Sequence, residues 1–323
     1  MDLIISHNNC LDGWVAAYIA KKKYPEAEIL LLNYGIDTEP VIAQAAGKDV
    51  IMLDYSLRTR ELNDRLNRGA KSLRILDHHR TAEVVLAGAG YATFDMSRSG
   101  AGLAWDYLFG KDSESSKYSK KEWGDNLALM YFGLGPWFVR FVEDQDLWNW
   151  ALPRSQDIHA FLMTRPRTVE AWDEITHMAS EAAASKGEGV RQYIEYYTRT
   201  VVAEAQVGTL SFGPHKYKTA VLNIPYAGVS EAGNALVADA KYDVALLWFE
   251  RGDGMTQFSL RSNRNGSNVD VGAIAKYFGG GGHHNSAGFQ IALPTARVIV
   301  DTVLGRSPVP YTPEIVRSPG GCA

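Results

Sequence analysis

A chain of 323 residues, 46% hydrophobic and 22% charged, is ordinary globular material and long for one core, which excludes a disordered chain and predicts two domains. A net charge of −4 gives no overall pull toward nucleic acid, so a polyanionic ligand must be held by local cations, metals or helix N-termini, and long duplex DNA is not expected as a partner. The two cysteines, Cys10 and Cys322, lie at opposite ends and suggest no disulfide framework; no apolar run approaches ~18 residues and no basic leader precedes the first strand, so a cytoplasmic protein without a membrane span is expected.

The first elements read as βα units. Residues 3–6 form a short apolar run that ends at His7; Asp12 and Gly13 follow, and residues 14–23 read as a helix. A second strand is expected over 29–34. A third, over 50–53, ends at Asp54, with Ser56 placed to cap a helix over 58–67. A fourth, over 73–76, ends at Asp77-His78-His79. Strands alternating with helical patterns imply an α/β fold with a doubly wound, mostly parallel sheet. Parallel strands carry their carboxyl ends to one sheet edge, so His7, Asp12, Asp54, Asp77, His78 and His79 should converge there, where open α/β sheets bind substrates. The two adjacent histidines cannot point the same way, so one can hold a metal while the other reaches a substrate.

Residues 97–102 (Ser-Arg-Ser-Gly-Ala-Gly) open the next helix, either as a phosphate cradle with Arg98 at hand or as a plain capped start packed closely through glycine. Residues 111–121 read as a charged loop, 126–132 as a helix, and 138–142 as an apolar helix leading to Asp144 and Asp146. Either acid could be a further ligand, or both could be surface or capping acids. A helical pattern fills 168–206, with a glycine-rich weak point at 186–189. The expected organisation is residues 1–186, a helical linker over 187–206, a smaller α/β domain over 207–305, and a loose tail over 306–323, with the active site in the cleft between the domains. The second domain is expected to hold strands over 217–222, 244–249 and 257–261 and helices over 231–240 and 271–278. Its Gly279 to Gly282, followed by His283 and His284, read as a loop for close backbone approach to an anionic ligand or as a flexible hinge.

Taken together, His7…Asp12-Gly13, Asp54, Asp77-His78-His79, Asp144, Leu260-Arg261-Ser262 and Gly280-Gly281-Gly282-His283…Ala287-Gly288 resemble the DHH phosphoesterases with a C-terminal DHH-associated domain. The resemblance runs from His7 to Phe289, and its order and spacing agree throughout. It implies hydrolysis of a phosphoester or phosphoanhydride by two divalent ions, commonly Mn²⁺. A donor set of carboxylates and imidazoles without a thiolate cluster independently suits Mn²⁺ or Mg²⁺. The resemblance implies that Asp54 bridges the ions, that Asp12, His78 and Asp144 complete one site, with Asp144 favoured over Asp146 because Trp148 stands where an aromatic often follows the motif acid, and that His7 belongs to the other. It further implies that His79 contacts the scissile phosphate or assists the leaving group with Asp77 orienting a histidine, and that Arg98, Arg261, Gly280, Gly281, Gly282, His283 and His284 bind substrate.

One position departs from the family pattern. Cys10 stands where the first motif usually has an aspartate, either as a softer ligand that tilts the site toward Zn²⁺, Fe²⁺ or Co²⁺, or as a small thiol without a metal role. The expected substrates are short oligonucleotides or dinucleotides cut to mononucleotides, with polyphosphate, cyclic dinucleotides or nucleoside bisphosphates as alternatives and a non-catalytic nucleotide-binding relative behind them. A homodimer is compatible with the sequence.

Overall fold

The computed structural model describes residues 1–8, 10–109, 136–264, 268–293 and 295–306. The helix expected over 126–132 and the loop over 111–121 lie outside these residues. The chain divides into two compact units, Met1–Arg191 and Gln192–Ala323.

In the first unit β1 (Leu3–His7), β2 (Glu28–Leu32), β3 (Asp49–Leu53), β4 (Ser72–Asp77) and β5 (Ala92–Phe94) form one sheet in the order β2-β1-β3-β4-β5, every pairing parallel. Its strands are apolar without alternation because both faces are covered. Ile4, Ile51, Leu53 and Leu76 enter the core on one face; Leu3, Ile5, Val50, Met52 and Ile75 enter the core on the other. Helix α1 (Leu11–Lys23) is buried from Leu11 to Ala20, which explains why its sequence is apolar all round. Helices α2 (Glu39–Ala45), α3 (Arg60–Gly69), α4 (Arg80–Val85), α5 (Gly100–Phe109), α6 (Phe138–Asp146), α7 (Ser155–Met163) and α8 (Val169–Thr176) complete the unit.

The boundary between the units falls within α9 (Ser180–Val202), which runs uninterrupted through the glycines expected to weaken it. Gly187 serves packing instead: a Cβ there would lie 1.8 Å from the backbone oxygen of Asp157. None of the helices among the described residues is long and apolar enough to cross a membrane.

The second unit holds β6 (Gln206–Phe212), β7 (His215–Asn223), β8 (Val244–Glu250), β9 (Met255–Ser262), β10 (Gly281–His283) and β11 (Ser286–Ala292), in the order β10-β11-β9-β8-β7-β6. Only β7 and β8 pair in parallel. Helix α10 (Val229–Val237) covers one face, while α11 (Val271–Tyr277) and α12 (Thr295–Val303) cover the other. The fold is therefore α/β in both units.

Candidate metal centre

The sheet order changes direction between β1 and β3, and the carboxyl ends at such a switch point form a crevice. Ser6 pairs with Leu53 and Leu53 with Leu76, so His7, Asp54 and Asp77 stand at one level on three neighbouring strands. Strands ~4.8 Å apart then bring their side chains together without any long-range adjustment. Asp54 leaves β3 with a left-handed backbone, φ 52°, a conformation that aspartate tolerates better than most residues and that clusters at functional sites.

Asp77 is fully buried and organises its neighbours. Its Oδ1 accepts the backbone N–H groups of His78 (2.8 Å) and His79 (3.1 Å) and lies 2.7 Å from His79 Nδ1, while Ser56 Oγ donates to Oδ2 at 2.5 Å. Burial alone would raise this carboxyl, but His79 and these hydrogen bonds hold it far below the usual carboxylate range. In return Asp77 outweighs the effect of burial on His79 and raises its pKa. With Nδ1 committed to Asp77, the proton that His79 can exchange with a ligand sits on Nε2. Ser56 thus has a different role from the cap expected of it; α3 begins later and is capped by Thr59, whose hydroxyl accepts from Leu62 N–H.

His78 Nε2 lies 3.1 Å from Asp54 Oδ1, 3.5 Å from Asp146 Oδ2 and 3.7 Å from Asp12 Oδ2. His7 Nδ1 is 3.8 Å from Asp54 Oδ2. Donor atoms of Asp12, Asp54 and His78, and separately of His7, Cys10 and Asp54, lie within 4.8 Å of one another, so Asp54 is common to two ligand sets. Its buried Oδ2 has no hydrogen-bond donor among the described residues, a costly state that a cation would relieve. The residues therefore fit divalent ions, which a set of oxygen and nitrogen donors binds readily. Burial and the carboxylates of Asp146 and Asp54 raise Asp12 well above its ordinary value. His78 rises because the three carboxylates outweigh its burial. Burial followed by the same carboxylates also pushes the Cys10 thiol well up, so only a cation beside it would make it a thiolate.

Two glycines let helices approach this closely. A Cβ on Gly13 would lie 2.5 Å from the His7 oxygen, and one on Gly100 would lie 2.4 Å from Asp54 Cβ. The start of α5 is consequently not a free phosphate cradle. Gly100 and Ala101 donate to Asp12 at 2.5 and 2.9 Å, Gly102 N–H meets Ser99 Oγ, and Ser99 N–H meets Glu143. Arg98, expected to bind substrate, instead pairs with Glu143 at 2.8 Å and with Asp106.

The two acids in the last turn of α6 also separate. Asp144 turns away from the cluster: its carboxylate accepts Ala151 and Leu152 N–H at 2.9 and 3.2 Å, and its backbone oxygen accepts Asn149 and Trp150 N–H. These bonds hold Trp148 and Trp150 at φ 56° and 49°, unusual for bulky side chains. Asp146 is the acid that meets His78. The preference for Asp144 drawn from Trp148 is therefore reversed here, because which of two acids two residues apart faces His78 depends on where the helix ends.

In the second unit the glycine run is mostly structural. Gly279 (φ 80°) and Gly280 donate to Lys276 and Ala275 oxygens and so terminate α11 in a Schellman motif. A Cβ on Gly280 would lie 2.0 Å from the Gly288 oxygen, and Gly281 and Gly282 belong to β10. His283 ends β10, and His284 Nδ1 lies 3.7 Å from Asp270. Arg261 donates to Leu260 O and Ser230 Oγ, and burial lowers its pKa to about 10.

Fold and site together define a two-unit α/β protein with a metal-type cluster at the switch point of its first sheet. Residues 216–304 match the DHHA1 domain. A protein called uncharacterized protein R106, from Acanthamoeba polyphaga mimivirus, is 22% identical over 316 residues, covering 90% of this chain and 68% of that one. Among solved structures, RecJ with Mn²⁺ from Thermus thermophilus superposes with a TM-score of 0.51 at 16% identity, covering 96% of this chain and 52% of that one. The pGpG-specific phosphodiesterase PggH from Vibrio cholerae covers 95% of this chain and 98% of that one, with a TM-score of 0.46 at 10% identity. The DHHA1 match thus lies in the C-terminal unit, and the likeness to RecJ shows a shared fold for the chain that carries the Asp77-His78-His79 strand end.

Proposed function

We propose that this protein hydrolyses phosphodiester bonds of short oligonucleotides or dinucleotides to mononucleotides, using two divalent ions with Mn²⁺ preferred. The observation that carries the reading is His78 Nε2 within 3.7 Å of three carboxylates, one of them shared with a second set around His7. In this reading Asp12, Asp54, Asp146 and His78 hold one ion, and Asp54 and His7, with Cys10 nearby, hold the other. Bound there, two ions supply a water-derived nucleophile and neutralise charge on the phosphoryl oxygens. His79, held by Asp77, delivers a proton from Nε2 to the departing oxygen. In the second unit Arg261, bonded only to neutral oxygens among the described residues, keeps a guanidinium suited to phosphate.

The test is product release with Mn²⁺ from a 5′-phosphorylated dinucleotide and from polyphosphate in parallel. Mononucleotides from the first, lost in Asp54→Ala and His78→Ala variants that remain folded, support the reading. Phosphate from polyphosphate alone replaces the substrate class, and turnover of neither substrate defeats the assignment.

A further inference from the structure

The hydrolytic reading leaves Cys10 beside the second ion without a task. Cys10 occupies the N-cap of α1 with an extended backbone, φ −116° and ψ 137°, yet cysteine is not among the residues that cap helices well, and capping does not explain it. It is a free cysteine. Its sulfur, a ring nitrogen of His7 and a carboxylate oxygen of Asp54 lie within 4.8 Å of one another. His7 Nδ1 and Asp54 Oδ2 are 3.8 Å apart. That Oδ2 is buried and has no hydrogen-bond donor among the described residues, whereas His78 meets Oδ1.

The two ligand sets differ in charge and in softness. Around His78 stand three carboxylates, Asp12, Asp54 and Asp146, all hard oxygen donors. Around His7 the set has one carboxylate, and it is shared. The neighbouring acid Asp77 is already spent, on two backbone N–H groups, His79 Nδ1 and Ser56 Oγ. A divalent ion between His7 and Asp54 is therefore poorly neutralised unless the thiol becomes a thiolate, a deprotonation that a bound cation drives. The N-terminus of α1, a helix of 13 residues, brings its positive end to the same sulfur. Aromatic rings border this side of the cluster: Tyr34 and Tyr55 lie 5.2 and 6.1 Å from the His7 ring and stack on each other at 4.9 Å. Hard ions such as Mg²⁺ keep several waters, whereas softer ions accept a small set of sulfur and nitrogen donors.

We propose that Cys10 Sγ is a ligand of the second ion, so that His7, Cys10 and Asp54 form a soft site for Zn²⁺, Fe²⁺ or Co²⁺ beside a hard, Mn²⁺-type site at Asp12, Asp54, Asp146 and His78. This rests on the two-ion reading above and narrows it at one position: the working pair is a mixed one. Thiolate and imidazole donors select the softer first-row ions, while carboxylates suit Mn²⁺ and Mg²⁺.

The test is metal binding, not turnover. The full chain with Cys322→Ser retains Cys10 as its only cysteine. Stripped of metal and titrated with Co²⁺, it develops a sulfur-to-cobalt charge-transfer band in the near ultraviolet that saturates with one of the two ions. With Zn²⁺ bound, its X-ray absorption spectrum contains a sulfur neighbour at about 2.3 Å. Cys10→Ser in that chain abolishes both signals. Cys10→Asp, which restores the charge with a hard oxygen, lowers the preference of the site for Zn²⁺ over Mn²⁺ by about tenfold or more. Cobalt bound without the band, zinc bound without a sulfur neighbour, or an unchanged preference in Cys10→Asp overturns the proposal, as does failure to bind either ion. The two spectra are read on a chain with an intact cluster, so they decide the question even where circular dichroism shows a Cys10 variant to be unfolded. Sulfur ligation found in a protein that cleaves no phosphoester with any ion pair upholds the soft site and defeats the hydrolytic reading alone.

Discussion

Gly100→Ala tests how the cluster is built. The added methyl would sit 2.4 Å from Asp54 Cβ and 2.9 Å from Asp12 Oδ2, whereas carbon atoms pack at about 3.5–4.0 Å, so about 1 Å must be found. Asp54 Cβ is fixed to a backbone in a left-handed conformation and cannot swing away as a side-chain tip could. The start of α5 must then withdraw and weaken the Gly100 and Ala101 hydrogen bonds to Asp12, or the backbone at Asp54 must yield. Overpacking of this kind costs about 1–3 kcal/mol, and a hydrogen bond to a charged group about 1.5–3 kcal/mol. Since one route relieves the other, the expected loss is about 2–4 kcal/mol, which lowers the melting temperature of a unit this size by about 5–15 °C. Displacing either carboxylate should also weaken Mn²⁺ binding about tenfold or more. Differential scanning calorimetry of the metal-free protein and a Mn²⁺ titration measure the two effects. A variant with wild-type melting and wild-type metal affinity would refute the packing of α5 against Asp12 and Asp54.

Asp146→Ala should abolish most Mn²⁺ binding with little loss of stability, whereas Asp144→Ala should lower stability by about 1–3 kcal/mol through the N–H groups it leaves behind and retain the metal stoichiometry; the reverse pattern in a metal titration would exchange their roles. In Asp77→Asn the amide oxygen can still accept the N–H groups of His78 and His79, but the charge that raises the His79 pKa is gone. A fall in kcat of about 10–100-fold is expected, with the alkaline limb of the pH–kcat profile moved to lower pH; an unmoved limb removes His79 from proton transfer. Asp157, joined to Arg191 at 2.6 Å and Arg154 at 3.0 Å, has a pKa lowered by those cations against its burial. Its contribution is present above the unfolded carboxylate pKa of about 3.9 and lost as pH falls through the lower folded value. Asp157→Asn should therefore cost about 1–3 kcal/mol at neutral pH, a gap from wild type that closes below about pH 4 in melting curves.

The elements that build the first unit were legible because a parallel strand buried on both faces needs an unbroken apolar run. Residues 50–53 and 73–76 reappear as β3 and β4, extended by one or two residues. The short edge strand β5, over Ala92–Phe94, carries no such run and gave no signal. The glycine segment was misleading for a related reason. Composition shows that glycine is needed, whereas a helix terminus and a close strand crossing demand it as strongly as a ligand does.

The sequence by itself determined which residues stand at the carboxyl ends of the first sheet. Strand polarity and a register that repeats from β1 to β3 to β4 bring His7, Asp54 and Asp77 to one level whatever else the chain does. Only the tertiary structure decided how groups brought by separate elements are used. The end of α6 selects Asp146 over Asp144, the N-terminus of α5 is spent on Asp12, and Arg98 is neutralised by Glu143 and Asp106. The physical reason is range. Periodicity reports which face of an element is buried, but the partner of a charged or hydrogen-bonding group can lie far along the chain, 88 positions away for Asp12 and Gly100.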